Sequence, residues 1–242
     1  FAEGYKVYFD PSTRFMRGLD SEGNWRTPFN PRASNHRNDD YCEGTAWQWT
    51  WFVPHDVDGL VELMGGRDAF IGKLDSLFTA DSKLEGESTS VDISGLIGQY
   101  AHGNEPSHHI AHLYNYVGQP WRTQEIVDEV LHTLYFNNPD GLSGNEDCGQ
   151  MSAWYILNAM GFYQVCPGKP VYSIGRPLFN EATVHLKDGK SFKVIAHNNS
   201  RDNKYVRSIV LNGNKLETPF FTHQDIVDGG TLELTMGSEP LK

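Results

Sequence analysis

The sequence has 242 residues, of which 38% are hydrophobic and 12% aromatic, and a formal net charge of -11. An acidic chain of this kind lacks the basic stripe of a nucleic-acid-binding protein, and its aromatic content excludes a disordered tail. Its apolar runs are too short to cross a lipid bilayer. The three cysteines, Cys42, Cys148 and Cys166, share no metal-type spacing, which argues against a zinc knuckle or a disulfide scaffold.

Apolar residues recur at helical spacing in the first two-thirds of the chain. In chain order, the pattern predicts helices over residues 47–64 (interrupted at Pro54), 68–78, 108–117, 123–135 and 151–160. Thr123 is expected to cap the fourth helix, and Gly161 to end the fifth.

After Pro167 the hydrophobic period falls to two, which is typical of β-strands. Asp188-Gly189 and Asn212-Gly213 stand where tight hairpin turns are expected. We therefore predict a mainly α fold with a β tail: a helical part over residues 1–166 and a small antiparallel β unit over residues 167–242. The absence of βαβ alternation argues against a dinucleotide-binding fold.

The sequence opens at Phe1, without an initiator methionine or a charged and apolar leader. Its first twenty residues already show the aromatic alternation of a strand, followed by a turn. We therefore expect this chain to be a piece of a larger protein, and its start gives no information on localisation.

Polar residues gather in three loops, each just ahead of a predicted helix. The loops are "NDDYCEGTAWQWTWFVPHD", "YAHGNEPSHHIAHLYNY" and "NPDGLSGNEDCGQMSAWY". In a helical barrel, loops at one end of sequential helices converge on one pocket. Carboxylates among aromatic rings suit a sugar, whose ring stacks on tryptophan and whose hydroxyls bond to acids, amides and histidines.

Each loop also has a purely structural interpretation. Glu43 can be a surface carboxylate or a helix N-terminal acid, and a tryptophan-rich stretch is more often core, as expected for Trp49. "GNEPS" can be a proline-initiated helix start, and "GNEDCG" a turn without the spacing of an EF-hand. The joint occurrence of the three loops favours a functional site.

The segments "EGTAWQWTWFVPHD", "GNEPSHHIAHLYNYVGQPWRTQ" and "GNEDCGQMSAWYILNAMGFYQVCPGKPVYSIGRPLF" closely resemble the C-terminal part of glycoside hydrolase family 92. This family consists of calcium-dependent, inverting exo-α-mannosidases. The resemblance runs from about Tyr5 to the end of the chain. It implies the last part of an (α/α)6 barrel followed by the terminal β segment, with an N-terminal β-sandwich and the first barrel helices belonging to the rest of the enzyme.

By this resemblance, Glu43 is the general acid and Asp147 the general base, two groups expected about 6.5–9.5 Å apart across the sugar ring. Trp47 and Trp51 are expected to raise the pKa of Glu43 by desolvation and to contact the sugar. Asp147 takes the base role alone, because Asn145 stands where family members often carry another acid.

The resemblance also implies a calcium ion held by Asn104 and Glu105, with water and the mannose 2- and 3-hydroxyls completing its coordination. Zinc is disfavoured because the histidines lack the HExxH pattern. The other expected substrate-binding residues are His102, His108, His109, Asn145 and Gln150.

The expected substrate is a mannose-containing oligosaccharide such as a high-mannose N-glycan or mannan, with α-1,2 as the favoured linkage. The resemblance also implies a periplasmic or extracellular location, with the N-terminal part of the enzyme as partner of this chain. Two alternatives remain: another α/α-barrel glycosidase or phosphorylase, and a non-catalytic carbohydrate-binding fragment. A phosphorylase needs a basic phosphate pocket, and the centres of the three loops carry neither Lys nor Arg.

Overall fold

A computed structural model of the protein describes residues 2–36 and 39–241. Their contacts group them into two units. Unit 1 comprises Phe1–His108 and Leu142–Glu146, and unit 2 comprises His109–Gly141 and Asp147–Lys242. The boundary predicted between residues 166 and 167 rests on hydrophobic period rather than on contacts, and it stays a prediction.

Unit 1 combines short strands with a few helices. Its helices are α1 (Ala46–Trp49), α2 (Val57–Leu63), α3 (Arg67–Thr79) and the 3-10 turns Gly4–Tyr8 and Glu105–Ser107. Its strand pairs are β1 (Phe9–Asp10) with β2 (Phe15–Met16), β3 (Ala33–Asn35) with β4 (Glu85–Ser88), and β5 (Leu96–Ile97) with β6 (Tyr100–Ala101). The pair β3–β4 is parallel and the other two are antiparallel.

Helix α3 organises the core of unit 1. Its buried face carries Phe70, Leu74 and Leu77 at the three- and four-residue spacing of an amphipathic helix. The helix predicted over residues 68–78 is thereby confirmed. The helix predicted over residues 47–64 is broken, as expected near Pro54, into α1 and α2.

Unit 2 carries the remaining described elements. Its helices are α4 (Leu113–Tyr116), α5 (Pro120–Thr133), α6 (Gln150–Met160), α7 (His223–Val227) and the 3-10 turns Ile110–His112 and Lys187–Gly189. Its strands are β7 (Phe162–Tyr163), β8 (Val171–Ile174), β9 (Glu181–His185), β10 (Ser191–His197), β11 (Tyr205–Leu211), β12 (Asn214–Lys215), β13 (Phe220–Thr222) and β14 (Gly230–Gly237).

The helix starts and ends of unit 2 match the sequence prediction in part. Gly161 ends α6 with φ of 101°, as predicted, because glycine adopts this left-handed conformation without steric cost. The prediction that Thr123 caps the fourth helix is wrong. Pro120 begins α5, and the Thr123 hydroxyl lies inside the helix and donates to the carbonyl oxygen of Ala111 at 2.9 Å.

The main sheet of unit 2 has five strands in the order β12-β11-β14-β10-β9. The two predicted hairpins are present: β9 and β10 join at Asp188-Gly189, and β11 and β12 join at Asn212-Gly213. However, β10 and β14 pair in parallel, so the prediction of an antiparallel unit is wrong and the sheet is mixed. A smaller antiparallel sheet has the order β13-β8-β7.

Among the described helices, α3, α5 and α6 exceed ten residues, and the others have four to seven. The (α/α)6 barrel expected for the first part of the chain stays a prediction. Within residues 2–36 and 39–241, no helix combines the length and the apolar character that spanning a membrane requires.

A fully buried hydrogen-bond network in unit 2 fixes one protonation state of His112. The Asn115 amide donates to the Ser173 hydroxyl at 2.6 Å, which leaves that hydroxyl free to donate to His112 Nδ1 at 3.0 Å. His112 Nε2 then donates to Asn158 Oδ1 at 2.9 Å, and the Asn158 amide donates to the carbonyl oxygen of Trp154. The imidazole is therefore neutral, with its proton on Nε2.

Burial lowers the pKa of His112 from 6.5 to about 4, assisted by the charge of His109 and opposed by the hydrogen bond to Asn158. Because the unfolded chain binds this proton more readily, we expect stability to fall as the pH drops from roughly 6.5 to 4, by about 3 kcal/mol from this residue. Thermal unfolding as a function of pH measures the effect. His112→Asn should lower the melting temperature at neutral pH and flatten its fall in acid. The exposed control His185→Asn should leave the profile unchanged, and an equal effect of both variants would contradict the assignment.

Candidate active site

Glu43 occupies a strained turn in unit 1. Its φ is 50°, in the left-handed region that non-glycine residues rarely adopt. A Cβ on the following residue, Gly44, would lie 2.8 Å from Nε1 of Trp49, so only glycine fits there. The Trp49 indole donates to the carbonyl oxygen of Cys42 at 2.7 Å. Trp49, expected in the core, is thus a half-exposed residue that fastens the turn bearing Glu43.

The start of α1 fixes the other side of this turn. Thr45 and Gln48 form a capping box, in which the Thr45 hydroxyl accepts from the backbone N–H of Trp47, and Gln48 Oε1 accepts from the backbone N–H of Thr45. The Gln48 amide also donates to the carbonyl oxygen of Gln99. Gln48 is a positioning residue that was not predicted from the sequence, although the Thr-x-x-Gln spacing signals this motif.

Asn104 joins the first predicted loop to the second. Its amide nitrogen donates to the carbonyl oxygen of Glu43 at 2.9 Å, and its Oδ1 accepts from the backbone N–H of Glu105 at 3.0 Å. The second bond caps the 3-10 turn that contains Pro106. One buried side chain therefore sets the positions of two predicted functional residues.

The beginning of the third loop packs on the second. A Cβ at Gly103 would lie 2.4 Å from the carbonyl oxygen of Ser143, and a Cβ at Gly144 would lie 2.9 Å from the carbonyl oxygen of Gly103. The missing side chains allow the two backbones to touch. The Asn145 amide lies 3.4 Å from a carboxylate oxygen of Asp92 and is exposed, which leaves its predicted contact with substrate untested. Residues of all three predicted loops thus meet in unit 1.

The histidines of the second loop are buried. His102 has no exposed surface, its Nδ1 lies 2.8 Å from the Tyr100 hydroxyl, and its carbonyl oxygen lies 2.9 Å from Nε2 of His108. Burial, followed by the charge of His108, holds the pKa of His102 well below 6.5. Burial therefore keeps the His102 imidazole neutral, and its predicted contact with a sugar hydroxyl stays a prediction. His108 and, in unit 2, His109 are also buried, and their contacts stay predictions.

The two tryptophans predicted to bind sugar differ in exposure. Trp51 is fully buried and packs edge-on against Phe70 at a centroid distance of 5.2 Å. Its predicted contact with sugar stays a prediction. Trp47 is half-buried and keeps the predicted role.

Asp147, which belongs to unit 2, lies in a second strained turn. Asp147, Cys148 and Gly149 have φ values of 50°, 56° and 99°, three left-handed residues in succession immediately before α6. Such backbone costs of order 1–3 kcal/mol per non-glycine residue and is concentrated at functional sites. Asp147 is exposed, and Gln150, the first residue of α6, lies with its amide 3.2 Å from the Tyr163 hydroxyl. The predicted pairing of Asp147 with Glu43 stays a prediction.

The donors of Asn104 and Glu105 fit a hard cation in chemical type. Asn104 Oδ1 accepts one hydrogen bond and keeps a second lone pair, and Glu105 adds a half-buried carboxylate. No three His, Cys, Asp or Glu side chains are grouped as a metal site within residues 2–36 and 39–241. In chemical type these two donors fit a calcium ion, which would need further oxygen ligands.

The turn at Gly44 yields a prediction with a control of opposite sign. Gly44→Ala should lower the free energy of unfolding by about 1–3 kcal/mol, because the new methyl group overlaps the Trp49 indole. Gly72→Ala, in the interior of α3 where a Cβ meets nothing within 4 Å, should instead raise it by up to about 1 kcal/mol. Urea unfolding compares the two variants. Equal stability of both would show that Trp49 does not constrain the turn.

Known proteins and a protein-family model show which family this chain resembles. The family model described as the glycosyl hydrolase family 92 catalytic domain matches residues 1–238. A protein of Arthroderma benhamiae, described as an uncharacterized secreted glycosidase, is 32% identical over 200 residues, which are 81% of this chain and 24% of that protein.

Two solved structures from Bacteroides thetaiotaomicron are also similar. A family GH92 α-mannosidase in complex with mannoimidazole is 43% identical with a TM-score of 0.91, over 98% of this chain and 32% of that one. A family GH92 inverting mannosidase is 42% identical with a TM-score of 0.84, over 98% of this chain and 33% of that one. The chain thus spans about a quarter to a third of the length of these relatives.

Proposed function

The chain belongs to glycosyl hydrolase family 92, and from this premise we propose that it is part of an inverting, exo-acting α-mannosidase that removes terminal mannose from glycans. The observation that carries the proposal is the bridge made by Asn104 between the turn of Glu43 and the turn of Glu105. This bridge joins an exposed carboxylic acid to a pair of oxygen donors, as metal-assisted glycoside hydrolysis requires.

In the proposed reaction, Glu43 donates a proton to the glycosidic oxygen as the leaving group departs. Its exposure gives access to a substrate, and its constrained backbone fixes the point from which the side chain extends. Asp147 takes a proton from water on the opposite face of the sugar ring, so that water attacks with inversion. The assignment of Asp147 to this role rests on the resemblance of its GNED segment to the family.

Trp47 is the proposed platform for the sugar ring, with Asn145, Gln150, His108 and His109 as proposed partners of the hydroxyls. The half-exposed indole provides an apolar face, and exposed amides suit hydroxyl groups. Asn104 and Glu105 are the proposed calcium ligands. A calcium ion bound there would supply positive charge for vicinal mannose hydroxyls.

The proposed substrates are mannose-containing oligosaccharides such as high-mannose N-glycans or mannan, with α-1,2 as the preferred linkage. The Arthroderma relative is described as secreted, which supports a periplasmic or extracellular location for this protein. The remaining part of the enzyme is the proposed partner of this chain, since its relatives are three to four times longer.

Glu43→Gln should separate the acid role from sugar binding. In the whole protein that carries this chain, we expect hydrolysis of α-1,2-mannobiose to fall by about 10²–10⁴, because its leaving group needs a proton. Hydrolysis of a dinitrophenyl α-mannoside should fall far less, because that leaving group departs as an anion. Both rates are measured by mannose release, with the exposed Glu87→Gln as control. An equal loss on both substrates would remove Glu43 as the acid.

Removal of calcium should abolish turnover if Asn104 and Glu105 hold the ion. We expect a chelator to stop mannose release and added calcium to restore it. Glu105→Gln should raise the calcium concentration needed for half-recovery by roughly tenfold or more, because a charged ligand is lost, whereas Glu87→Gln should not change it. Full activity in the chelator would contradict the metal role.

A further inference from the structure

Lys73 is a buried cation next to the proposed sugar platform. It lies on the buried side of α3 with 7% of its surface exposed. Its ammonium nitrogen is 3.2 Å from the ring centroid of Phe15 and 4.5 Å from that of Trp47. These two rings meet edge to face, with centroids 4.9 Å apart and planes at 86°. The three side chains form one cluster, which we name the Lys73 cluster.

No hydrogen bond orients the Trp47 ring within the described part of the chain. Its buried indole N–H has no acceptor there, in contrast to the indole of Trp49, which is bonded to Cys42. Lys73 likewise forms no ion pair or side-chain hydrogen bond among residues 2–36 and 39–241. The orientation of the platform therefore depends on the edge contact with Phe15 and on the cation of Lys73.

We propose that Lys73 is the positioning residue of the Trp47 platform: its ammonium group holds the indole from within the protein so that the ring keeps its half-exposed orientation for a sugar. The proposal rests on the proposed function, because it assigns the accessible side of Trp47 to the mannoside. A cation over an aromatic face is attracted by the ring quadrupole, and the attraction is strongest in a desolvated site. Neutralisation of the amine removes it.

The charge of Lys73 is poised to change near neutral pH. Burial, followed by the nearby charge of Arg14, lowers the pKa of Lys73 from 10.5 to about 7. Helix α1 contributes no charged side chain to this environment. On α3 itself, the positions three and four residues away are uncharged: Ala69, Phe70, Ser76 and Leu77. Below about pH 7 the ammonium form therefore holds Trp47, and above it the neutral amine does not.

The test measures KM and kcat for an α-mannoside over the pH range in which the whole enzyme is stable. We expect the wild-type KM to rise about tenfold as Lys73 loses its proton, with little change in kcat. Lys73→Met, which keeps the length of the side chain without its charge, should show the high KM at every pH. Lys73→Arg, which stays charged and stacks on aromatic rings, should keep the low KM into alkaline pH. The exposed control Lys83→Met should follow the wild type.

A readout without catalysis distinguishes this proposal from the proposed function. The tryptophan fluorescence that is lost in Trp47→Phe should titrate near pH 7 in the wild type and not in Lys73→Met. Such a titration in a protein without mannosidase activity would overturn the proposed function and retain the Lys73–Trp47 contact. Identical pH profiles of KM and fluorescence in the wild type and Lys73→Met would overturn the role of Lys73.

Discussion

The bridge made by the Asn104 side chain is the interaction on which the candidate site depends. A single amide group donates to the carbonyl of Glu43 and accepts from the N–H of Glu105, two residues that are 62 positions apart in the chain. A primary amide offers a donor and an acceptor in one rigid plane, as this bridge requires. Because the Asn104 side chain is buried, leaving its polar atoms without partners would cost about 1–3 kcal/mol. The bridge thus stabilises the arrangement in which the two turns lie together.

Both proposed catalytic acids have a strained backbone, as do Arg14, Cys148, Asp188, Asn198 and Asn212. Glu43 and Asp147 both have φ of 50°, although neither sits in a hairpin like Asp188 or Asn212, where such angles are expected. The turn of Glu43 is stabilised on both sides, by the Trp49 indole before it and by the capping box of α1 after it. These contacts explain how a strained turn persists, and they fix the backbone position from which the Glu43 side chain extends.

The sequence predicts local features of this fold well and long-range features poorly. Gly161 and the Asp188-Gly189 turn are predictable because their conformations follow from neighbouring residues. The parallel pairing of β10 with β14 is not, because it joins segments separated by more than thirty residues and leaves the period of two unchanged. The hydroxyl of Thr123 suits a helix N-cap. However, Pro120 is an equally local signal for a helix start, and α5 begins there.

The same limit applies to two tryptophans of unit 1 that have similar sequence neighbours but differ in burial. Trp47 and Trp51 are four residues apart, and both contact α3, on which Phe70 and Lys73 are three apart. Trp51 meets an apolar ring and is buried completely, whereas Trp47 meets an ammonium group and remains half-exposed. The sequence around the two tryptophans does not reveal this difference, because it is set by the partner on another helix. The two tryptophans thus differ in the side chain of α3 that each contacts, Phe70 for Trp51 and Lys73 for Trp47, and this difference lies outside the sequence around either tryptophan.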